Sequence, residues 1–235
     1  MRNWLTFGGI DSRDYGVYIS GTGVFDSPER EYDVINVPGR DGDVLGVGSR
    51  LANISVTYPC FIYANFRENL RNFVSALTAI KGYAELADTY YTGESRKAYF
   101  GGEVSVDPVG RLNAGQFELT FQCKPQRYLA SGQQIITLTA AGSVTNPTPF
   151  DSQPRFEITG YGTISVNGED ITILNVYPSI VIDSEVMDCY YGTTNANEQV
   201  EMESNDFPLL NPGANTITFD STITQVKILP RWFRV

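Results

Sequence analysis

Histidine is missing from this chain of 235 residues. With it goes imidazole chemistry: no Ser–His or Cys–His nucleophile pair, no His-ligated zinc and no imidazole acid or base can be built. Cysteine is scarce too, and Cys60, Cys123 and Cys189 are too scattered for a disulfide framework or a zinc site. They read as small buried hydrophobes. No apolar run is long enough for a membrane-spanning helix, and the amino terminus lacks the basic, apolar and small-residue order of a secretory signal. The expectation is a protein made in the cytoplasm and not inserted in a membrane. Basic residues thin out along the chain. Residues 1–130 hold 13 Lys and Arg against 15 Asp and Glu, whereas residues 131–235 hold 4 against 12, so the net charge of −10 divides into −2 and −8. No basic face is left to neutralise phosphates, which argues against nucleic acid as a partner. The acidic surface serves either solubility or docking.

What is present suits strands. Hydrophobic residues make up 42% and aromatics 12%, mostly Tyr and Phe, enough for a real core in one large β domain or two smaller ones. Arg30 to Val37 and Asp43 to Val47 flank the run Val37-Pro38-Gly39-Arg40-Asp41-Gly42 as a long hairpin. Pro38 fixes φ in that turn, and Gly39 and Gly42 supply its positive-φ positions. Leu51 to Tyr58 alternates apolar and polar residues; then the period changes. Phe66, Leu70, Phe73, Val74, Leu77 and Ile80 recur at three and four residues, with Asn65 and Glu68 as a capping-box-like start and Gly82 at the stop. This is the one expected helix. Leu86 to Asp88, Tyr99 to Val106 and Gln116 to Cys123 return to extended structure.

A domain boundary is expected near residue 130. Beyond it a short strand, Gln134 to Thr139, precedes Thr145-Asn146-Pro147-Thr148-Pro149, which reads as a linker or as a loop inside the second domain. Then come Arg155 to Thr159, Thr163 to Val166, the Asn167-Gly168 turn, Asp170 to Leu174, Ser179 to Ile182, Gln199 to Met202, Asn215 to Phe219 and Gln225 to Leu229. So many short strands with a strong Asn-Gly hairpin signal imply a β-sandwich or jelly roll.

The sequence carries no dinucleotide fingerprint, Walker A loop or nucleophile elbow, and Gly21-Thr22-Gly23 and Gly160-Tyr161-Gly162 are turns. Asp183, Glu185 and Asp188 read as solvated loop carboxylates, with a glycosidase pair or a calcium site as the chemical alternatives. Asp41-Gly42-Asp43 reads as turn, without the later glutamate of an EF-hand loop. Tyr177, Tyr190, Tyr191, Trp232 and Phe233 could stack on sugars, fill a core or line a subunit interface. No catalytic, cofactor-binding or metal-binding residue is assigned.

Three segments carry a family resemblance: Phe7-Gly8-Gly9-Ile10-Asp11-Ser12-Arg13-Asp14-Tyr15-Gly16-Val17, then Val37 to Gly42, then Phe121-Gln122-Cys123-Lys124-Pro125-Gln126-Arg127-Tyr128. Phe207-Pro208-Leu209-Leu210-Asn211-Pro212-Gly213-Ala214-Asn215 and Pro230-Arg231-Trp232 extend it. Their order resembles the distal tail proteins of siphophages. The resemblance implies a mainly β fold: a tail-tube-like β domain with one α-helix, residues 1–130, then a galectin-like β-sandwich, residues 131–235. It also implies a non-enzymatic homo-hexameric hub at the virion tail tip. That hub joins the major tail-tube protein to a tail-associated baseplate or fibre protein, and its outer domains could carry a receptor-binding protein. On this reading Val37, Pro38, Gly39, Arg40, Asp41 and Gly42 form a candidate ring-interface turn. The alternatives are a carbohydrate-binding tail protein recognising host surface sugars, a carboxylate-based cell-wall glycosidase, or the tail-tube protein itself.

Overall fold

The computed structural model describes residues 2–21, 23, 27–46, 50–107, 113–174, 178–204 and 206–235. They are mainly β with one α-helix, in two units: Met1–Arg127 with Val235, and Tyr128–Arg234.

The elements of the first unit are β1 (Leu5–Phe7), β2 (Ile10–Asp11), β3 (Val17–Ile19), β4 (Val34–Ile35), β5 (Val44–Leu45), β6 (Ile54–Ile62), α1 (Phe66–Ala79), β7 (Ala84–Asp88), β8 (Glu94–Asp107) and β9 (Gly115–Leu129). Seven of the eight strands of one sheet run in the order β2-β1-β7-β8-β9-β6-β3. Strict alternation makes this sheet one-sided: Ile54, Val56, Tyr58, Cys60 and Ile62 point inward from β6, opposite Cys123, Phe121, Leu119 and Phe117 of β9. An antiparallel bridge between Asn3 and Ile19 joins the β3 end back to the segment leading into β1. The sheet therefore closes on itself around its core. At the centre the Phe7 and Phe121 rings lie 4.9 Å apart, with Tyr58 edge-on to Phe121 at 6.1 Å. Each such fully buried side chain contributes about 1.5–3 kcal/mol. Pro125 lies past the end of the β6 ladder at Cys123, where its missing N–H costs that ladder nothing.

Helix α1 adds its apolar stripe to the same core. Phe66, Phe73 and Leu77 are buried, with Leu70 and Ile80 packed beside them. Its start corrects the expected capping box: Asn65 is left-handed at φ 53° and its side chain caps nothing. Asn113 does this work from 48 residues along the chain, its side-chain oxygen accepting from the Asn65 N–H at 3.1 Å and its carbonyl from the Phe66 N–H at 3.3 Å. A long-range partner of that kind has no local sequence signature.

The second unit holds β10 (Ile136–Leu138), β11 (Gly142–Asn146), β12 (Arg155–Gly160), β13 (Gly162–Val166), β14 (Glu169–Ile173), β15 (Ile180–Asp183), β16 (Asp188–Tyr191), β17 (Thr194–Asn195), β18 (Val200–Met202), β19 (Gly213–Phe219), β20 (Ile223–Leu229) and β21 (Phe233–Arg234). Two sheets, β10-β20-β12-β15-β16-β17 and β11-β19-β13-β14-β18, enclose a separate core that includes Phe156, Ile158, Ile182, Ile217, Val226 and Ile228. This is a β-sandwich. Asn167 and Gly168, at φ 56° and 94°, make the two-residue hairpin turn between β13 and β14. The tract 145–149 lies inside this unit and is no linker. Asn146 is buried, donates to the Phe150 and Leu210 carbonyls at 2.8 and 3.0 Å, and accepts from Thr148.

Gly115 sits against the helix start, where an added Cβ would lie 2.6 Å from the Phe66 ring. Gly115→Ala is expected to cost about 1–3 kcal/mol by overpacking. Urea unfolding of the full chain measures it, with Gly101→Ala as the control because a Cβ there meets nothing.

Candidate functional site

Between β3 and β6 the chain departs from the sheet as a two-stranded ribbon. β4 and β5 pair Val34 with Leu45 and Ile35 with Val44. Below that ladder the Gly46 N–H donates to the Asp33 carbonyl at 2.7 Å, and a bridge pairs Arg30 with Leu51. At the tip the Arg40 N–H donates to the Val37 carbonyl at 3.1 Å, with Gly39 at φ 83° and Gly42 at φ 78°. Pro38 and Gly39 thus hold the two central positions of a turn that demands positive φ at the second. Val37, Pro38, Gly39, Arg40, Asp41 and Gly42 come together as one tip. The ladder is shorter than the expected strands Arg30 to Val37 and Asp43 to Val47, because the ribbon has no sheet neighbour to extend its pairing; Val47 lies outside the described residues.

Both faces of the ribbon are apolar. Adjacent residues of a strand point opposite ways, so Val34 with Leu45 and Ile35 with Val44 occupy opposite faces. Val34, Ile35 and Leu45 are 60%, 52% and 55% exposed, and Tyr32 and Val37 are exposed beside them. None belongs to either core. A hairpin in water normally hides one face and wets the other; this arm hides neither. The sequence carried a signal for it, the consecutive apolar pair Val34-Ile35, but turn chemistry alone does not tell an exposed arm from a sheet hairpin.

The carboxylate candidates of the second unit are not a solvated loop. Asp183 is buried and held by Arg231 through two hydrogen bonds, Nη1 to Oδ1 at 2.6 Å and Nη2 to Oδ2 at 2.8 Å. Arg231 Nε lies 3.4 Å from a Glu185 carboxylate oxygen. Asp188 points elsewhere and accepts from the Asn195 and Asn197 amides at 2.9 and 2.8 Å. Asp183 and Glu185 therefore share one guanidinium, an arrangement that locks a β corner and leaves neither acid free for sugar chemistry. Arg231 stands 48 residues from Asp183, too far for sequence spacing to reveal the pair. Among the described residues no group of three acids, cysteines or histidines is placed to hold a metal. In the arm, Asp43 accepts from the Asn36 amide at 3.3 Å.

The remaining sequence candidates are dispersed. Trp232 is buried in the sandwich core, and Phe233 stacks on Phe150 with ring centroids 5.4 Å apart. Tyr190 and Tyr191 lie on β16, and Tyr177 is outside the described residues. Among the described residues no aromatic platform gathers them. All three cysteines are buried; burial pushes the Cys189 thiol up to about 12 and Cys60 higher still.

Burial alone would raise the Asp183 carboxyl, but the hydrogen bonds and charge of Arg231 outweigh it and hold the acid below its ordinary value. Its contribution is therefore fully present above the unfolded carboxylate value near 4 and is lost as pH falls through the lower folded value. Arg231→Met is expected to cost about 3–5 kcal/mol by stranding a buried carboxylate. Asp183→Asn is expected to remove this acid-side loss of stability. Thermal unfolding followed from pH 6 to pH 2 checks both.

Two of the segments that carried the sequence resemblance, Phe7 to Val17 and Phe121 to Tyr128, meet in the first unit: Phe7 packs on Phe121, and Arg127 stacks over Tyr91 at 4.1 Å and pairs with Glu94 at 3.4 Å. Residues 10–123 match the family described as the phage tail protein RIFT-related domain. No curated protein matches the sequence significantly. Among solved structures the chain is similar to the SPP1 Dit (gp 19.1) protein, described as a paradigm of the hub adsorption apparatus in phages infecting Gram-positive hosts. The TM-score is 0.73 at 12% identity, covering 96% of this chain and 97% of that one. It is also similar to a chain of the phage P2 baseplate in its activated conformation with Ca, at a TM-score of 0.52 and 11% identity, covering 97% of each. Residues 10–123 thus match a phage tail RIFT-related domain, and the fold of nearly the whole chain is that of these two solved chains.

Proposed function

We propose that six copies close into a ring through residues 1–130, that the arm is the element each copy lays against its neighbour, and that residues 131–235 project outward as a galectin-like domain. The observation that carries this is the arm itself: a ribbon with both faces apolar and no core of its own to cover them. Covering such side chains stabilises by roughly 1–2 kcal/mol each, and closed cyclic symmetry lets one patch do this for every copy without leaving a free end. The turn Val37 to Gly42 sets how far the arm reaches. In the virion the ring is the hub between the major tail-tube protein and a tail-associated baseplate or fibre protein, after synthesis in the host cytoplasm.

The role is structural and non-enzymatic. Of the acids singled out by sequence for catalysis, Asp183 and Glu185 are held by Arg231 and Asp188 by the Asn195 and Asn197 amides, and the described aromatic candidates for a sugar platform are dispersed. Cell-wall clearing by the purified chain, abolished by Glu185→Gln, would overturn that part.

Val34→Asp with Leu45→Asp is expected to abolish the ring and leave both cores intact. Light scattering on the parent should give six chain masses alone, or six copies per complex when tail-tube protein is added, and the variant one, with unchanged circular dichroism. A parent that stays monomeric in both conditions contradicts the proposal. Gly39→Val with Gly42→Val, which forces β-branched side chains into positive φ, should weaken assembly by at least tenfold while the sandwich melts at the parent temperature.

A further inference from the structure

We propose that the β15–β16 corner of the second unit is a docking knob for another virion protein, one that offers an apolar socket edged by basic side chains. The corner is the four-residue loop between Asp183 and Asp188, which face each other in the ladder. Val186 and Met187 at its tip are 61% and 69% exposed, the two most exposed large apolar side chains among the described residues. Such a pair is an ordinary accident on a floppy loop. This loop is fixed from beneath. The Ser184 hydroxyl donates to the Pro208 carbonyl at 2.7 Å and its N–H to the Pro154 carbonyl at 3.0 Å, while Arg231 clamps Asp183 and reaches Glu185.

The backbone carries a second, independent mark. Four described non-glycine residues have positive φ: Asn65, Asn167, Met187 and Arg231. Asparagine tolerates that region; Met and Arg do so at a cost. Both costly residues belong to this one corner, Met187 at the exposed end of the loop and Arg231 below it. A hairpin loop of this length asks for Gly or Asn at such a position. An apolar side chain that is both strained and exposed is poor for stability, and it is the combination expected where the side chain is needed outward. Methionine is also the apolar side chain that best adapts to a socket.

Charge selects the occupant. Residues 131–235 hold 12 acidic against 4 basic residues, and Arg231, the cation beneath the tip, is already committed to two of those acids. A basic rim around an apolar socket is the complement, and an anionic membrane is not.

The inference rests on the reading of the chain as a tail-tip protein. The test places Val186→Ser with Met187→Asn, and separately Met187→Leu, in the phage gene. For the double variant the purified chain should melt no more than about 3 °C below the parent, because Asn accepts left-handed backbone. Isolated tails should hold it at the parent amount yet lose at least tenfold of one other protein, with host adsorption reduced in step; Met187→Leu should keep both. Tails of unchanged composition and adsorption overturn the knob alone. A larger fall in melting temperature makes the corner merely structural and also overturns it. Binding of the parent to phosphatidylcholine–phosphatidylglycerol vesicles, lost in the double variant, assigns the tip to lipid and overturns the protein partner. Tails lacking even the parent chain overturn the tail-tip reading and the knob together.

Discussion

A two-stranded ribbon cannot bury its own side chains, and the organisation of the first unit turns on that constraint. Residues 30–51 pair into a hairpin whose ladder leaves Val34 and Leu45 on one face and Ile35 and Val44 on the other. The closed sheet next to it in sequence has a complete core of its own, built on Phe7, Tyr58, Phe121 and the buried face of α1. Nothing in the core needs the arm. A domain whose core is complete while its arm is apolar on both sides separates the residues that fold it from those left uncovered, and the proposed ring assigns the uncovered ones to association.

The same division explains why the recognisable segments of the chain do different physical work. Phe7 to Val17 and Phe121 to Tyr128 are fold-making: their aromatic rings touch across the centre of the sheet, Asp11 accepts from the Arg13 N–H at the start of a tight helical turn, and Gly16 at φ 64° ends it. Val37 to Gly42 makes no such contact and sets only the geometry of an exposed tip. In the second unit the conspicuous carboxylates turn out to be structural. One guanidinium holds two acids at a β corner, and the two-point contact to Asp183 supplies the directional hydrogen bonds that a buried ion pair needs to offset its desolvation.

Much of the fold was legible in the sequence because it rests on period. The alternation over Ile54 to Tyr58 and Phe117 to Cys123 and the three-and-four spacing from Phe66 to Leu77 survive intact as β6, β9 and α1. The strands run further than the pattern shows; β9 passes through Pro125 because the β6 ladder ends at Cys123. Short elements such as β16 and β17 were not legible, since two to four residues carry no measurable period. The Asn113 cap and the Asp183–Arg231 pair were hidden for a different reason: each joins groups 48 residues apart, and no local pattern encodes such a meeting. Of the candidate site, the turn chemistry at Pro38, Gly39 and Gly42 could be read directly, whereas the exposure of the arm could not, because alternation tells which residues share a face but not what covers it.

If the arm is completed by a neighbouring copy, its backbone should be protected only when that neighbour is present. Hydrogen exchange of the amides of residues 32–45, compared between the isolated chain and intact tails, measures this directly. The account predicts fast exchange in the isolated chain and protection greater by at least a hundredfold in the tail, about 3 kcal/mol of added local stability, while the amides of β6 and β9 change little. Equal exchange of the arm in both states would contradict it.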